Sequence, residues 1–290
     1  MTRIVHLADL HFGVHVDLAQ IGALERLVPR LEPDAIVVAG DLTQRARHGE
    51  FQCALTFAER LRQTAPTLVI PGNHDVSWWA SPFHVRGARA LYRKYRHYFG
   101  DDLTPVLRLP GAVIAGALTS HGVAFGSLTP NPNNMAVMGH LPSTETDRLA
   151  RIFAEAPAGA ARVVVVHHNV LRGEISQRMG LARWASAQRR IRDAGADLVL
   201  CGHDHQEGMG QIDRLVTVST TGTHSSRTRN KRPSVFNVVT IDAAAIHIQH
   251  YRWDAYAGVF RAADRGSFAR RRHDNAPQGA RAAAEARAGV

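Results

Sequence analysis

Residues 4–13 read "IVHLADLHFG", an apolar run that stops at Asp9 and His11, two positions apart. In a strand, side chains two apart leave on the same face, so both can reach one point beyond the carboxyl end. The spacing recurs far along the chain in "VLCGHDHQE" (199–207), where His203 and His205 follow Gly202. Between them lie "IVVAGDLTQ" (36–44), "LVIPGNHDVSWW" (68–79) and "RVVVVHHNVL" (162–171), each an apolar run ending in Asp, Asn or His. Parallel strands of an α/β sheet share one carboxyl edge, where such folds place their ligand sites. The five clusters are therefore expected to converge.

Outward from these stretches, strands are expected at 3–8, 34–39, 66–70, 112–117, 122–127, 162–167, 196–201, 214–219, 234–241 and 245–252. Helices are expected at about 17–31, 47–63, 84–99, 143–155 and 180–193. The first half reads βαβα, the signature of a parallel sheet. After residue 205 only strands follow, joined by "TGTHSSRTRNKRPS" and "DAAA", which implies antiparallel hairpins. Two packed sheets flanked by helices accommodate both halves. Ser143 and Thr144, followed by Asp147, mark a helix start.

A chain of 290 residues with 45% hydrophobic content buries a full core, and one domain over 1–255 is expected. No run reaches the roughly 18–20 apolar residues of a membrane span, and no secretory leader is visible at the start. Only Cys53 and Cys201 are present, so a disulfide framework is not expected and a cytoplasmic location follows by default. The net charge of +10 suggests an anionic partner. Residues 256–290 hold seven Arg against three acidic residues, leaving +6 for the body. That tail lacks an apolar period and reads as a basic, disordered segment, either solvated or a nucleic-acid arm. "SPFHVRGARALYRKYRHYFG" (81–100) interleaves aromatic and basic side chains. It reads as an amphipathic helix on the core or as a surface for substrate, nucleic acid or membrane. Trp78 and Trp79 divide similarly between core packing and base stacking.

Asp9, His11, Asp41, Asn73, His167, His203 and His205 together supply carboxylate, amide and imidazole donors. All-oxygen shells favour Mg or Ca, whereas mixed His-rich shells favour Mn, Fe, Co, Ni or Zn. Seven donors exceed one site of four to six positions, and two ions about 3.5–4 Å apart bridged by a carboxylate fit the count.

The order Asp9-x-His11, Gly40-Asp41, Gly72-Asn73-His74-Asp75, His167 and Gly202-His203-x-His205 resembles the calcineurin-like metallophosphoesterase superfamily over about residues 2–255. The resemblance implies a four-layer αββα sandwich of two mixed sheets. It assigns one metal to Asp9, His11, Asp41 and His205, and the other to Asp41, Asn73, His167 and His203, with Asp41 as the bridge. His167 rather than His168 aligns with the family's block; His168 and His224 are the histidines to watch beside the site. Two divalent transition ions, Mn or Fe ahead of Zn or Co, would activate a bridging hydroxide for in-line attack on phosphorus. His74 would stabilise the transition state or protonate the leaving oxygen, and Asp75 would hold its ring.

"ADLHFG", "GDLTQRA", "PGNHD" and "GHDH" resemble the bacterial class III cyclic-nucleotide phosphodiesterase branch, so a small phosphodiester or nucleotide is the expected substrate. A nuclease, or a membrane-associated (pyro)phosphatase acting on a nucleotide-lipid, is the alternative, with nucleic acid or a membrane surface as partner. A non-catalytic scaffold ranks last, since no ligand position is lost, and a homodimer stays open.

Overall fold

The computed structural model describes residues 1–77, 91–121, 138–271 and 273. The strand expected over 122–127, Trp78 and Trp79, the 81–90 part of the basic segment and the chain from 274 lie outside the described residues.

Period-two burial builds the core. In β1 (Thr2–Leu7) Ile4 faces one side while Val5 and Leu7 face the other; in β2 (Ala35–Ala39) Ala35, Val37 and Ala39 alternate with Ile36 and Val38. A strand that is apolar on both faces needs cover on both faces. β1, β2 and β3 (Thr67–Ile70) run parallel. β10 (Val235–Ile241), β11 (Ala245–Asp254) and β12 (Val259–Ala269) continue that sheet antiparallel, in the order β12-β11-β10-β1-β2-β3. The second sheet contains β4 (Val106–Leu109), β5 (Ala112–Gly116), β6 (Ala161–Val165), β7 (Leu198–Cys201), β8 (Gly208–Ile212) and β9 (Val216–Thr220), in the order β4-β5-β6-β7-β9-β8. Its four central strands are parallel and both edges antiparallel.

Three apolar clusters fill the three interfaces of a four-layer sandwich. Ile4, Val37, Ile114, Val163, Val165 and Leu200 pack sheet on sheet. α1 (Leu18–Leu27), α2 (His48–Arg62) and α3 (Arg93–Phe99) cover the first sheet through Leu24, Phe51, Phe57 and Tyr95. α4 (Ser143–Ala154) and α5 (Trp184–Asp193) cover the second through Leu149, Phe153 and Ile191. The fold class expected from sequence is therefore the one observed.

Local chemistry sets the helix ends. Asp17 caps α1 by accepting from the amides of Ala19 and Gln20 at 3.0 and 3.2 Å. Glu50, in the first turn of α2, reaches back to the amides of Arg45 and Arg47 at 2.8 and 3.2 Å. α4 begins at Ser143 as expected, but Pro142 occupies the cap position and no side chain caps it.

Three strands differ from the sequence expectation. β4 and β8 are short edge strands, and β12 runs through 259–269, a stretch read as part of a disordered tail. β12 is an edge strand on which Phe260 is buried while most neighbours are exposed, so its sequence carries little apolar period. Backbone pairing with β11 holds it, and Arg261, Asp264 and Arg265 give it the charged character that blunts an exposed edge. Arg270 and His273 beyond it dock on Gly159 O and the Asp197 carboxylate at 2.9 and 2.7 Å. β9 is parallel to β7, whereas sequence implied hairpins throughout this half.

Candidate metal centre

The five strand ends meet at one edge of the sandwich. Beyond β1 and β2 the two chains run on side by side, with the amides of Asp9 and His11 donating to the carbonyls of Gly40 and Asp41, both at 3.0 Å. Asp9, His11, Asp41, His203 and His205 all have left-handed backbone, with φ of 54°, 48°, 52°, 72° and 55°. Outside glycine this region is uncommon, and Asp and His enter it more readily than most residues. Each such residue costs of the order of 1–3 kcal/mol and persists where surrounding contacts over-determine it. Gly72 permits the closest approach: a Cβ there would overlap the Asp41 carboxylate and amide nitrogen.

Two groups of donors share Asp41. On one side, ligand atoms of Asp9, His11, Asp41 and His205 lie within 4.8 Å of one another. His11 Nε2 is 2.9 Å from His205 Nε2 and 3.7 Å from Asp41 Oδ2, and His205 Nε2 is 3.4 Å from Asp9 Oδ1. On the other side, His167 Nε2 is 3.4 Å from Asp41 Oδ1 and 3.0 Å from Asn73 Oδ1. His203 Nδ1 closes that group at 3.1 Å from Asn73 Oδ1 and 3.3 Å from His167 Nε2. The structure thus assembles all seven residues singled out in the sequence, and the two Asp41 oxygens face different groups.

The far ring atoms are pinned by carbonyls. His167 Nδ1 donates to Ala39 O at 2.9 Å and His205 Nδ1 to Arg227 O at 2.7 Å, which turns each Nε2 inward. Asp9 Oδ2 accepts the His203 amide at 2.8 Å, while the buried Oδ1 takes no hydrogen bond. A buried carboxylate oxygen without a donor, facing converging imidazole nitrogens, has the donor chemistry of a cation site. The electrostatics agree. Burial would raise the Asp41 carboxyl, yet His167, with His74 and His11, holds it well below the carboxylate range. Burial would lower His167, but the adjacent Asp41 carboxylate holds it up at about 9. His11 and His203 are instead pushed well below the ordinary histidine range, chiefly by burial.

His74 and Asp75 divide their work differently from the sequence expectation. His74 Nδ1 meets Gln44 O at 2.8 Å, so Gln44 holds the ring, not Asp75. Asp75 staples the β2 and β3 loops, accepting the amides of Gly72, Leu42 and Thr43 at 2.9, 3.0 and 2.8 Å and the Thr43 hydroxyl at 2.9 Å. Burial and the nearby Asp41 push its carboxyl up to about 6 against those amides. A backbone carbonyl has no sequence signature, which is why Gln44 and Arg227 were not legible.

Of the flanking histidines, His168 Nδ1 lies 2.8 Å from Thr119 Oγ1, and its ring sits 4.4 Å from the ring of His203, tilted by 46°. His224 is buried against Phe236 and Phe260 with both ring nitrogens unpartnered among the described residues, and burial pushes it down to about 3. Its amide and the Thr223 hydroxyl donate to the Asp9 carbonyl at 3.2 and 2.7 Å, so this loop serves the site through its backbone and Thr223.

The sandwich and the shared-carboxylate cluster define a class: metal-dependent phosphatase folds with a candidate dimetal site. The sequence profile of the calcineurin-like phosphoesterases matches residues 2–207, and the chain belongs to that family, which implies a phosphoester hydrolase. The chain is similar to a transmembrane protein with metallophosphoesterase domain from Danio rerio, 31% identical over 110 residues, 35% of this chain and 24% of that protein. Its counterpart in Bos taurus is 34% identical over 82 residues, 27% of this chain and 18% of the relative. The matches thus span about a quarter or less of those relatives. Among the described residues, no helix is long and apolar enough to cross a membrane. The fold is similar to a purple acid phosphatase from Lupinus luteus seeds (TM-score 0.66, 12% identity, 93% of this chain and 54% of that one). It is likewise similar to a dimetal phosphatase from Danio rerio (TM-score 0.62, 11% identity, 92% and 98%).

Proposed function

We propose that the chain hydrolyses a phosphodiester bond in a nucleotide or another small diester at the Asp41 centre. The observation that carries the reading is Asp41 presenting Oδ2 to His11 at 3.7 Å and Oδ1 to His167 at 3.4 Å, which suits one carboxylate shared by two cations. Asp9, His11 and His205 would complete one shell, and Asn73, His167 and His203 the other. Divalent transition ions, Mn or Fe ahead of Zn or Co, held there would supply a nucleophile from water at neutral pH and neutralise charge on the phosphoryl oxygens. With His74 Nδ1 fixed on Gln44 O, Nε2 is the atom left to carry a proton to the leaving oxygen. Asp75 positions this residue and Asp41 together through the loop backbone. Two free cysteines fit a reducing, cytoplasmic setting.

The test is reconstitution of the metal-stripped protein with Mn, Fe, Zn, Co and Mg in turn, assayed on bis(p-nitrophenyl) phosphate, cyclic AMP and single-stranded DNA. Metal-restored hydrolysis should fall by about 10²-fold or more in Asp41→Asn, because Asp41 would hold the cations that stabilise charge on the phosphoryl oxygens. Cleavage of none of these with any metal overturns the reading. The second reading, an enzyme working on nucleic acid or a membrane surface, draws on the basic residues of α3, Arg93, Lys94 and Arg96. It predicts binding that weakens steeply with salt.

A further inference from the structure

Beside His203 opens a cavity of about 280 Å³ whose wall includes Arg172, Arg178, Arg229, Trp184 and Met179. It lies just below the usual range of small-molecule pockets, roughly 300–1,000 Å³, so it suits one small unit of a substrate rather than a whole one. A larger cavity of about 750 Å³ shares Arg172 and Asp204 with it. There the charges compensate each other: Arg252 pairs with Glu207 at 2.8 Å and with Asp264, and Arg232 lies 3.6 Å from Glu207. The smaller cavity is different. Arg229 is held by the Asp204 carbonyl at 3.0 Å and by its carboxylate at 3.4 Å. Arg172 donates only to the Gln177 carbonyl at 2.9 Å, and among the described residues neither Arg172 nor Arg178 has an acidic partner.

Arg172 and Arg178 are solvent-exposed guanidinium groups without acidic partners among the described residues, beside the proposed centre for the scissile phosphate, and are placed to take a further anion. A phosphate monoester, with about −1.5 to −2 charge at neutral pH, matches them in charge and in fork geometry. The indole of Trp184, in the first turn of α5 and 41% exposed, forms another part of the wall. An exposed indole beside arginines offers a stacking face for a flat base, with Met179 adding polarisable apolar surface.

We infer that this cavity is a specificity subsite for a nucleoside monophosphate unit on the far side of the scissile phosphorus, Arg172 and Arg178 taking its terminal phosphate and Trp184 its base. The inference rests on the proposed diester hydrolysis at the adjoining centre. The substrate it selects is a dinucleotide-type diester that carries a terminal phosphate, ahead of a cyclic mononucleotide with a single phosphate.

The experiment has a binding arm and a turnover arm on the full chain. Adenosine 5′-monophosphate titrated into metal-stripped protein should quench tryptophan fluorescence. The quench should shrink in Trp184→Phe, and the affinity should fall about tenfold or more in Arg178→Ala, the size expected for hydrogen bonds to a charged group. Ribose 5-phosphate and adenosine should each bind more weakly than the monophosphate. In the reconstituted enzyme, kcat/KM for 5′-phosphorylated diadenosine dinucleotide is divided by that for bis(p-nitrophenyl) phosphate. This ratio should fall about 10- to 100-fold in Arg178→Ala and about tenfold in Trp184→Ala. Monophosphate binding that is absent, or unchanged in both variants, together with unchanged ratios, overturns the subsite while leaving the hydrolase reading in place. Failure to cleave any diester with any metal overturns the hydrolase reading, and the binding arm then still decides what the cavity holds.

Discussion

His74 has one ring nitrogen committed to Gln44 O and its amide donating to Asp41 Oδ1 at 2.8 Å, so it belongs to the site through both backbone and ring. Replacing it with Ala removes the proton carrier but leaves that amide in place. His74→Ala is expected to lose about 10²–10⁴-fold in kcat while retaining the wild-type metal content by elemental analysis. Loss of metal in proportion to activity would instead make His74 a ligand. The pairing of Asp75 with the loop amides predicts a different failure. Asp75→Asn should disturb the positions of Asp41 and Asn73, so metal affinity and turnover should fall together.

At the scale of the elements, the ends of β1, β2 and β7 bring left-handed residues to the site, Asp9, His11, Asp41, His203 and His205. A small residue is needed where two loops cross, and Gly72 lies against Asp41 without room for a Cβ. Gly72→Ala is expected to preserve the far-ultraviolet circular dichroism, because β3 ends at Ile70 before the substitution. It should nevertheless lower the equivalents of metal bound relative to wild type, by one or more if the centre holds two ions, measured after dialysis against limiting Mn. Full metal loading would show that Asp41 moves freely and is not the shared carboxylate. At the same scale, β12 shows why an edge strand escapes a pattern reading. Its partner supplies hydrogen bonds without requiring apolar alternation, so Val259–Ala269 reads as tail in sequence and is sheet in the fold.

For the whole molecule, one buried polar network ties the sheets together. His6 on β1 meets Ser219 on β9 at 3.1 Å; Asn237 on β10 donates to Ser219 Oγ at 2.8 Å, and His250 on β11 meets Asn237 Oδ1 at 2.7 Å. Burial, with a smaller contribution from His250, lowers the His6 ring to about 3 against an ordinary 6.5. Because the folded form resists protonation that the unfolded chain accepts, His6 subtracts nothing above pH 6.5 and reduces stability as pH falls from 6.5 toward 3. The slope is about 1.4 kcal/mol per pH unit at most. Urea unfolding of wild type and His6→Leu at pH 7.5 and 5 should show the variant losing less stability between the two pH values; equal losses would mean that His6 is protonated in the fold. Two packed sheets and the strand-end donors were legible because strand periodicity and strand-end residue types are local properties, while the αββα sandwich and the choice of His167 over His168 came from the family resemblance. The hold of Gln44 O on His74, the part of Asp75 as a loop staple, β12 and the Arg178–Trp184 cavity were decided by tertiary structure. A carbonyl, an edge and a cavity wall each acquire their chemistry only from a neighbour distant along the chain.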